Sequence, residues 1–387
     1  MQTKENLKFL IIDDKQLILN LATRMLKANG YKNFVTASNG LGGLAKLKKR
    51  GINFVITDWD MPKMTGIEVL RSLRNDPEHY NMSILIVSEE MSKEKILFAL
   101  EEGVDACLSK PFSETELISS INEVLQAKLN PDPMKYKLQR LYSLKAQKKY
   151  DKAVEFAESL LEEGKNVYVY LALGECYLAD NQYEEARDSL QEVLKIKKNS
   201  KALHLIGKTY MGEAEYEKAI EFFEQAYMAN SMNIGAIIDM GNAYLYLGAT
   251  KEATETFSSL NDTNISDLNC TSIGSAYLST GDIVNAEKYL QQAQSPVVDT
   301  IGVFNKYAIE LRKAGRFNEA IEQYHRCLRI DPANHILLLN TALSYTEVKN
   351  YKEAETMLEK CLEIDPNYET AKKLLTYVQS KLSKRKK

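Results

Sequence analysis

The chain has 387 residues, which at roughly 100–200 residues per domain implies two or three domains, or one domain followed by a repeat array, and excludes a single small domain. Apolar residues make up 44% and charged residues 27%, with only 8 Pro and 18 Gly, so the chain folds around a sizeable core and is neither collagen-like nor low-complexity. Residues 1–130 carry 17 Lys and Arg against 17 Asp and Glu, and the remainder carries 33 against 36. On bulk charge neither part binds a polyanion, so no nucleic-acid partner is expected.

Met1 to Asn6 is polar and leads into a strand-like run without the basic and then apolar segment of a secretion signal. No window approaches the roughly 18 apolar residues of a spanning helix, so no membrane span is expected. Five cysteines, Cys107, Cys176, Cys270, Cys327 and Cys361, stand far apart with no C-x-x-C pair. That argues against a disulfide framework or zinc site and for a reducing, cytoplasmic location. The basic tail from Lys381 to Lys387 reads as a solvated helix end.

Taken in chain order, residues 7–128 alternate short apolar runs with amphipathic stretches. The runs are Leu7 to Ile12, Phe34 to Thr36, Phe54 to Thr57, Ile84 to Val87 and Ala106 to Leu108. Between and after them come helical patterns around Leu17 to Leu26, Leu44 to Leu47, Val69 to Leu73, Ile96 to Leu100 and Leu117 to Leu125. Repeated strand and helix units predict a doubly wound α/β domain on a parallel sheet over residues 1–129. Asn130, Pro131, Asp132 and Pro133 form a short linker stiffened by two prolines, which holds the next part close.

From about residue 134 the strand signal vanishes and a repeat of 33 or 34 residues takes over. Alanines recur at 153, 186, 219, 253, 286, 320 and 354. Twelve residues before most of them sits a small residue with a large one three further on: Gly174 and Tyr177, Gly207 and Tyr210, Gly241 and Tyr244, Gly274 and Tyr277, Ala308 and Leu311, Ala342 and Tyr345. The small residues let paired helices approach, and the large ones are expected to fill the gap beside them. Asp331-Pro332 and Asp365-Pro366 close the last two units. This pattern resembles the tetratricopeptide repeat, one helical hairpin per unit, and implies an all-α superhelix of about seven units over residues 134–368, with a capping helix and tail over 369–387. The first unit, with Leu141 and Leu144 where Gly and Tyr stand elsewhere, is degenerate, as suits a terminal repeat that faces another domain.

The chemistry lies in the first domain. Asp13 and Asp14 follow the first strand and Asp58 the third, where open α/β sheets gather their loops into a site. Three carboxylates together call for a cation, and hard oxygen ligands suit Mg²⁺ with room left for a phosphoryl group. Ser88 ends the fourth strand with a hydroxyl that can donate to phosphoryl oxygen, and Lys110 follows the fifth with an ammonium that can pair with another. Lys110 precedes Pro111, where a cis bond is plausible.

Asp13-Asp14, the run Asp58-Trp59-Asp60-Met61-Pro62-Lys63-Met64-Thr65-Gly66, Val87-Ser88 and Lys110-Pro111-Phe112 together resemble the receiver domain of bacterial two-component response regulators, of the chemotaxis type. The resemblance implies a flavodoxin-like (β/α)5 fold. It implies that Asp58 accepts a phosphoryl group from a histidine kinase or phosphotransfer protein, that Asp14, Asp58 and the backbone carbonyl of Asp60 bind Mg²⁺, and that Asp13 acts through a bound water. Ser88 and Lys110 would read the phosphate.

Departures from the family pattern concern three modulating residues. Cys107 stands where the family carries an aromatic three positions before the lysine; a strand cysteine reads as a small hydrophobe before it reads as a redox sensor. Glu89, in place of a small residue, and its neighbour Glu90 bring anionic bulk to the site, which is expected to slow phosphoryl entry or loss.

For the repeats, the resemblance implies a groove that binds a protein or peptide. Its positions fall on Tyr168, Leu171, Glu175, Lys201, His204, Lys208, Ile238, Asn242, Tyr246, Asn305, Ile309 and Arg312. Lys201, His204 and Lys208 share one helical face, either to grip an acidic segment or as a solvated face. His79, His204, His325 and His335 show no metal or triad spacing.

The leading expectation is a response regulator whose output is protein binding, not an enzyme beyond transfer and hydrolysis of its own phosphoryl group. An alternative is a phosphate sink or phosphotransfer competitor that inhibits another regulator of the same kinase. A homodimer is a further partnership the reading admits.

Overall fold

The computed structural model describes residues 6–47, 51–129, 133–260, 265–293, 296 and 300–385. The chain divides into two compact units, Met1–Ser266 and Asp267–Lys387.

The first unit begins with an alternating run: β1 (Lys8–Ile12), α1 (Gln16–Ala28), β2 (Asn33–Ala37), α2 (Gly40–Leu47), β3 (Phe54–Asp58), α3 (Gly66–Asn75), β4 (Ser83–Ser88), α4 (Lys93–Glu101), β5 (Ala106–Ser109) and α5 (Glu114–Leu129). The five strands form one sheet in the order β2-β1-β3-β4-β5, every pair parallel. Strands β3 and β4 are buried at every residue, which is why they read as unbroken apolar runs and not as alternation. On one face Phe9, Ile11, Leu85 and Val87 pack with Leu19 and Leu26 of α1 and Leu117 and Ile121 of α5. The five expected strands are all present, each within a residue or two of its sequence limits.

Helices follow without further strands among the described residues. In the first unit these are α6 (Pro133–Ala146), α7 (Tyr150–Leu161), α8 (Val167–Ala179), α9 (Tyr183–Ile196), α10 (Ser200–Gly212), α11 (Tyr216–Ala229), α12 (Ile234–Tyr246) and α13 (Thr250–Ser258). The second unit holds α14 (Asp267–Ser279), α15 (Ile283–Gln292), α16 (Ile301–Lys313), α17 (Phe317–Leu328), α18 (His335–Glu347), α19 (Tyr351–Ile364) and α20 (Glu369–Arg385). Residues 130–132 of the expected linker lie outside the described residues, and Pro133 is the first residue of α6.

The seven periodic alanines are all fully buried at hairpin contacts. The gap beside each of the four glycines is filled differently from the expectation. A Cβ on Gly174, Gly207, Gly241 or Gly274 would come within 2.4–2.6 Å of Leu190, Phe223, Phe257 or Leu290, sixteen residues along on the second helix. The aromatic three positions along the first helix is not the residue the glycine admits. The turn between the paired helices repeats as well: Lys148, Asn181, Ala214, Gly248, Gly281, Gly315 and Lys349 all have positive φ, and four of these seven are not glycine. The degenerate first repeat meets its expectation, since α6 packs against α3 and Leu141 is fully buried.

Candidate functional site

Sheet register assembles the site. Ile12 pairs with Thr57, so Asp13 and Asp58 emerge side by side from β1 and β3, where the strand order turns from one direction to the other. Ser88 and Ser109 pair at the ends of β4 and β5, which brings Lys110 to the same edge. The Lys110–Pro111 peptide bond is cis.

Lys110 Nζ lies 2.7 Å from Asp13 Oδ2 and 2.9 Å from Asp58 Oδ1, and all three side chains are buried. Burial pushes Asp58 up to about 6, with Lys110 pulling the other way. Burial disfavours the Lys110 ammonium, but the two carboxylates outweigh it and raise its pKa. Backbone N–H groups orient the acids: Lys15 donates to Asp13 Oδ1 at 2.8 Å and Trp59 to Asp58 Oδ1 at 2.9 Å. Asp14 is exposed beside them, and carboxylate oxygens of Asp13, Asp14 and Asp58 all lie within 4.8 Å of one another. Gly66 is required by the backbone here, since a Cβ would stand 2.2 Å from the Asp58 carbonyl oxygen.

Around this centre stand three further groups. Ser88 is fully buried, and its hydroxyl donates to the Glu90 carbonyl at 3.0 Å. Lys95, on the first turn of α4, reaches Asp60 Oδ2 at 3.2 Å and Ser88 Oγ at 3.5 Å, with its Nζ 5.4 Å from the Trp59 ring centre. Lys15 pairs with Glu89 at the exposed rim. Glu89 therefore has a local counter-ion, which weakens the like-charge argument made from sequence. Cys107 is partly buried, and burial pushes its thiol up to about 11, as fits a packing residue. The involvement of Lys15 and Lys95 was not foreseen from sequence. A lysine in a loop or a first helical turn carries no signal until the fold is known.

The groove positions divide. Leu171 and Ile238 are buried and line no surface. Glu175 is half-buried between Lys145 and Lys201, the latter at 2.9 Å, and those two cations outweigh the cost of desolvation and hold it down to about 2. His204 pairs with Asp239 at 2.8 Å and Asn242 lies 3.5 Å from the same carboxylate, while Lys208 is exposed. The row Lys201, His204 and Lys208 is thus neither a free cationic grip nor a uniformly solvated face. Tyr168 and Tyr246 are exposed, Tyr246 being stacked on Tyr216 at 5.2 Å. In the second unit Asn305 bonds Asn340 at 3.0 Å, and Ile309 and Arg312 are half-buried. Of the histidines, His79 bonds Asp76 and His325 bonds Tyr345. Among the described residues the acidic trio is the one cluster with metal-ligand geometry, and no helix is long and apolar enough to cross a membrane.

A parallel five-stranded sheet with buried acids and a lysine at its switch point is the architecture of a receiver domain. The response regulator receiver domain model matches residues 9–122, and tetratricopeptide repeat models match 144–208, 311–376, 200–231 and 269–295. Chemotaxis protein CheY-3 of Vibrio cholerae is 34% identical over 122 residues, 32% of this chain and 94% of that protein. Chemotaxis protein CheY of Pseudomonas aeruginosa is 32% identical over 120 residues, 31% of this chain and 97% of that one. The solved chemotaxis response regulator CheY4 of Vibrio cholerae is 31% identical, with 30% of this chain and 98% of that chain covered and a TM-score of 0.29. The chain belongs to the response regulator receiver family, and tetratricopeptide repeats follow its receiver.

Proposed function

We propose that the protein is a two-component response regulator that takes a phosphoryl group on Asp58 and uses it to control protein binding by its repeats. The observation that carries this reading is Asp58 itself: a buried carboxylate at the sheet's switch point, 2.9 Å from the Lys110 ammonium and within reach of two further acids. In the transfer a carboxylate oxygen of Asp58 bonds to phosphorus as the donor's bond breaks, the N–P bond of a kinase phosphohistidine or the O–P bond of an acyl phosphate.

The donor set fits a divalent cation, being oxygen-only and rich in charge. Asp13, Asp14, Asp58 and the Asp60 carbonyl would hold Mg²⁺, which supplies positive charge for the incoming phosphoryl oxygens. Lys110 stands ready to pair with one phosphoryl oxygen, and Ser88, once it leaves the Glu90 carbonyl, to donate to another. The backbone N–H of Trp59 fixes the orientation of the attacking carboxylate.

This reading divides the chain into a receiver over 1–129, a linker over 130–133, about seven repeats over 134–368 and a terminal helix and tail over 369–387. Its partners are a histidine kinase or phosphotransfer protein and a protein bound by the repeats, with no enzymatic activity beyond the receiver's own. The test is to add Mg²⁺ and acetyl phosphate and follow intact mass and Trp59 fluorescence. One added phosphoryl group in the native chain and none in Asp58→Asn is the expected result. No mass gain with acetyl phosphate or with any phosphorylated kinase would overturn the reading.

A further inference from the structure

Within the first unit the repeats hold a helix of the receiver. Asn199 and Asn230 sit in the turns leading to α10 and α12, and both side chains are buried. Each closes its own turn with its amide oxygen: Asn199 accepts from the Ala202 N–H at 2.7 Å and Asn230 from the Met232 N–H at 2.9 Å. Each sends its amide N–H to α4. Asn199 donates to Glu101 Oε1 and Asn230 to the Glu94 carbonyl, both at 3.2 Å.

Charge follows the same line. Glu102, next along from α4, is held below its ordinary value against the cost of burial by Arg71 at 2.7 Å and by the field of Lys201. Burial pushes Glu101 up, with Lys197 and Lys201 opposing. Its Oε2 is buried with no hydrogen-bond partner. An acidic helix end is thus seated beside basic side chains of the repeats, at one of the sequence-expected groove residues, Lys201. The seat also has a weak point, a carboxylate oxygen left without a donor, which is costly to bury.

The other end of α4 is tied to the phosphoryl site. Lys95 adjoins Glu94 in the first turn and reaches Asp60 and Ser88. A phosphoryl group on Asp58 replaces the single charge of the carboxylate by about −1.5 to −2 and brings three acceptor oxygens to this point. It competes for both Lys95 and the Ser88 hydroxyl.

We propose that the turns before α10 and α12, with Lys201, form a docking surface for a helix with an acidic C-terminal end, that α4 of the receiver is its resident occupant, and that phosphorylation of Asp58 vacates it through Lys95. The inference rests on the receiver reading above and adds the surface, its occupant and the direction of the switch. A partner presenting a helix whose C-terminal end is acidic takes the same seat once α4 leaves.

The test is hydrogen exchange on the full chain, read for α4 and the first turns of α10 and α12, with intact mass read in parallel. Acetyl phosphate with Mg²⁺ transfers its phosphoryl group to an Asp58 oxygen as the O–P bond breaks and acetate leaves. Labelling is expected to raise exchange in all three segments about tenfold, a usual size for coupling between sites. Full labelling by mass with unchanged exchange overturns the proposal and leaves the receiver reading intact. Absence of labelling with acetyl phosphate and with any phosphorylated kinase overturns the receiver reading and the phosphate switch with it. A second variant needs no phosphate: Asn199→Asp keeps a capping side chain but sets a carboxylate against Glu101. It is expected to raise exchange in α4 about as much, and unchanged exchange there refutes the docking on its own.

Discussion

Replacing Lys110 by Met preserves most of the side-chain volume and removes the one charge that separates two buried acids. Asp13 Oδ2 at 2.7 Å and Asp58 Oδ1 at 2.9 Å then face each other without their cation. Removing one partner of a buried ion pair costs about 3–5 kcal/mol, a large share of the roughly 5–15 kcal/mol that holds a domain folded. The acids respond by binding protons. Burial already pushes Asp58 up to about 6 with Lys110 present, and its pKa climbs further when Lys110 is gone. The loss is therefore greatest above pH 7 and shrinks as pH falls toward 5. Urea unfolding followed by Trp59, the only tryptophan and a buried neighbour of Asp58, reads the receiver directly. With a slope of about 2 kcal/mol/M, the midpoint of Lys110→Met falls by about 2 M at pH 7.5. Mg²⁺, or a second substitution Asp58→Asn, recovers part of the loss. A fall under about 0.5 M, or one equal at pH 5.5 and 7.5, refutes the claim that Lys110 offsets carboxylate charge.

Three further outcomes follow from the same geometry. Asp58 has a folded pKa raised to about 6 from 3.8, so between those values the folded chain holds the extra proton. Its contribution favours folding at low pH and is lost as pH rises through about 6, to the extent of about 3 kcal/mol without metal. Midpoints across pH 4–7 should show that decline in the native chain and not in Asp58→Asn. Ala214 holds φ at +60° in a turn whose equivalents at 248, 281 and 315 are glycine. Ala214→Gly removes about 1–2 kcal/mol of strain against a smaller unfolded-chain entropy cost, so thermal melting of the helices should move up, and a downward shift would contradict the reading. Gly207→Ala places a Cβ 2.5 Å from the buried Phe223 ring. Overpacking at about 1–3 kcal/mol exceeds the helix-propensity gain of about 1 kcal/mol, so the variant should melt lower and Phe223→Leu should recover part of the loss.

The receiver was legible because its chemistry and its strand limits coincide. Asp13, Asp58, Ser88 and Lys110 each lie at a strand end, so finding the apolar runs also located the site. The repeat period was legible for a similar reason: a fully buried alanine recurs every 33 or 34 residues, where a larger side chain would have to displace packed neighbours. What the glycine faces was misread, because the contact crosses to the second helix, sixteen residues away, and local spacing carries no such information. Leu171 and Ile238 were placed in the groove by analogy of position, whereas both apolar side chains are buried.

The contact of α4 with the turns before α10 and α12 left no trace in the sequence for a more specific reason. Asn166, Asn199, Asn233 and Asn334 recur at the same point in their repeats, and each caps the helix that follows it with its amide oxygen. Capping fully accounts for an asparagine at such a place. The amide N–H of each is left over, and the fold gives it different work: Asn233 donates to Ser200, Asn334 to Asp331, and Asn199 alone among these four donates to Glu101 of α4. A residue type that satisfies one local requirement conceals a second use by its other side. Surfaces of this kind are found only by asking where each remaining donor goes.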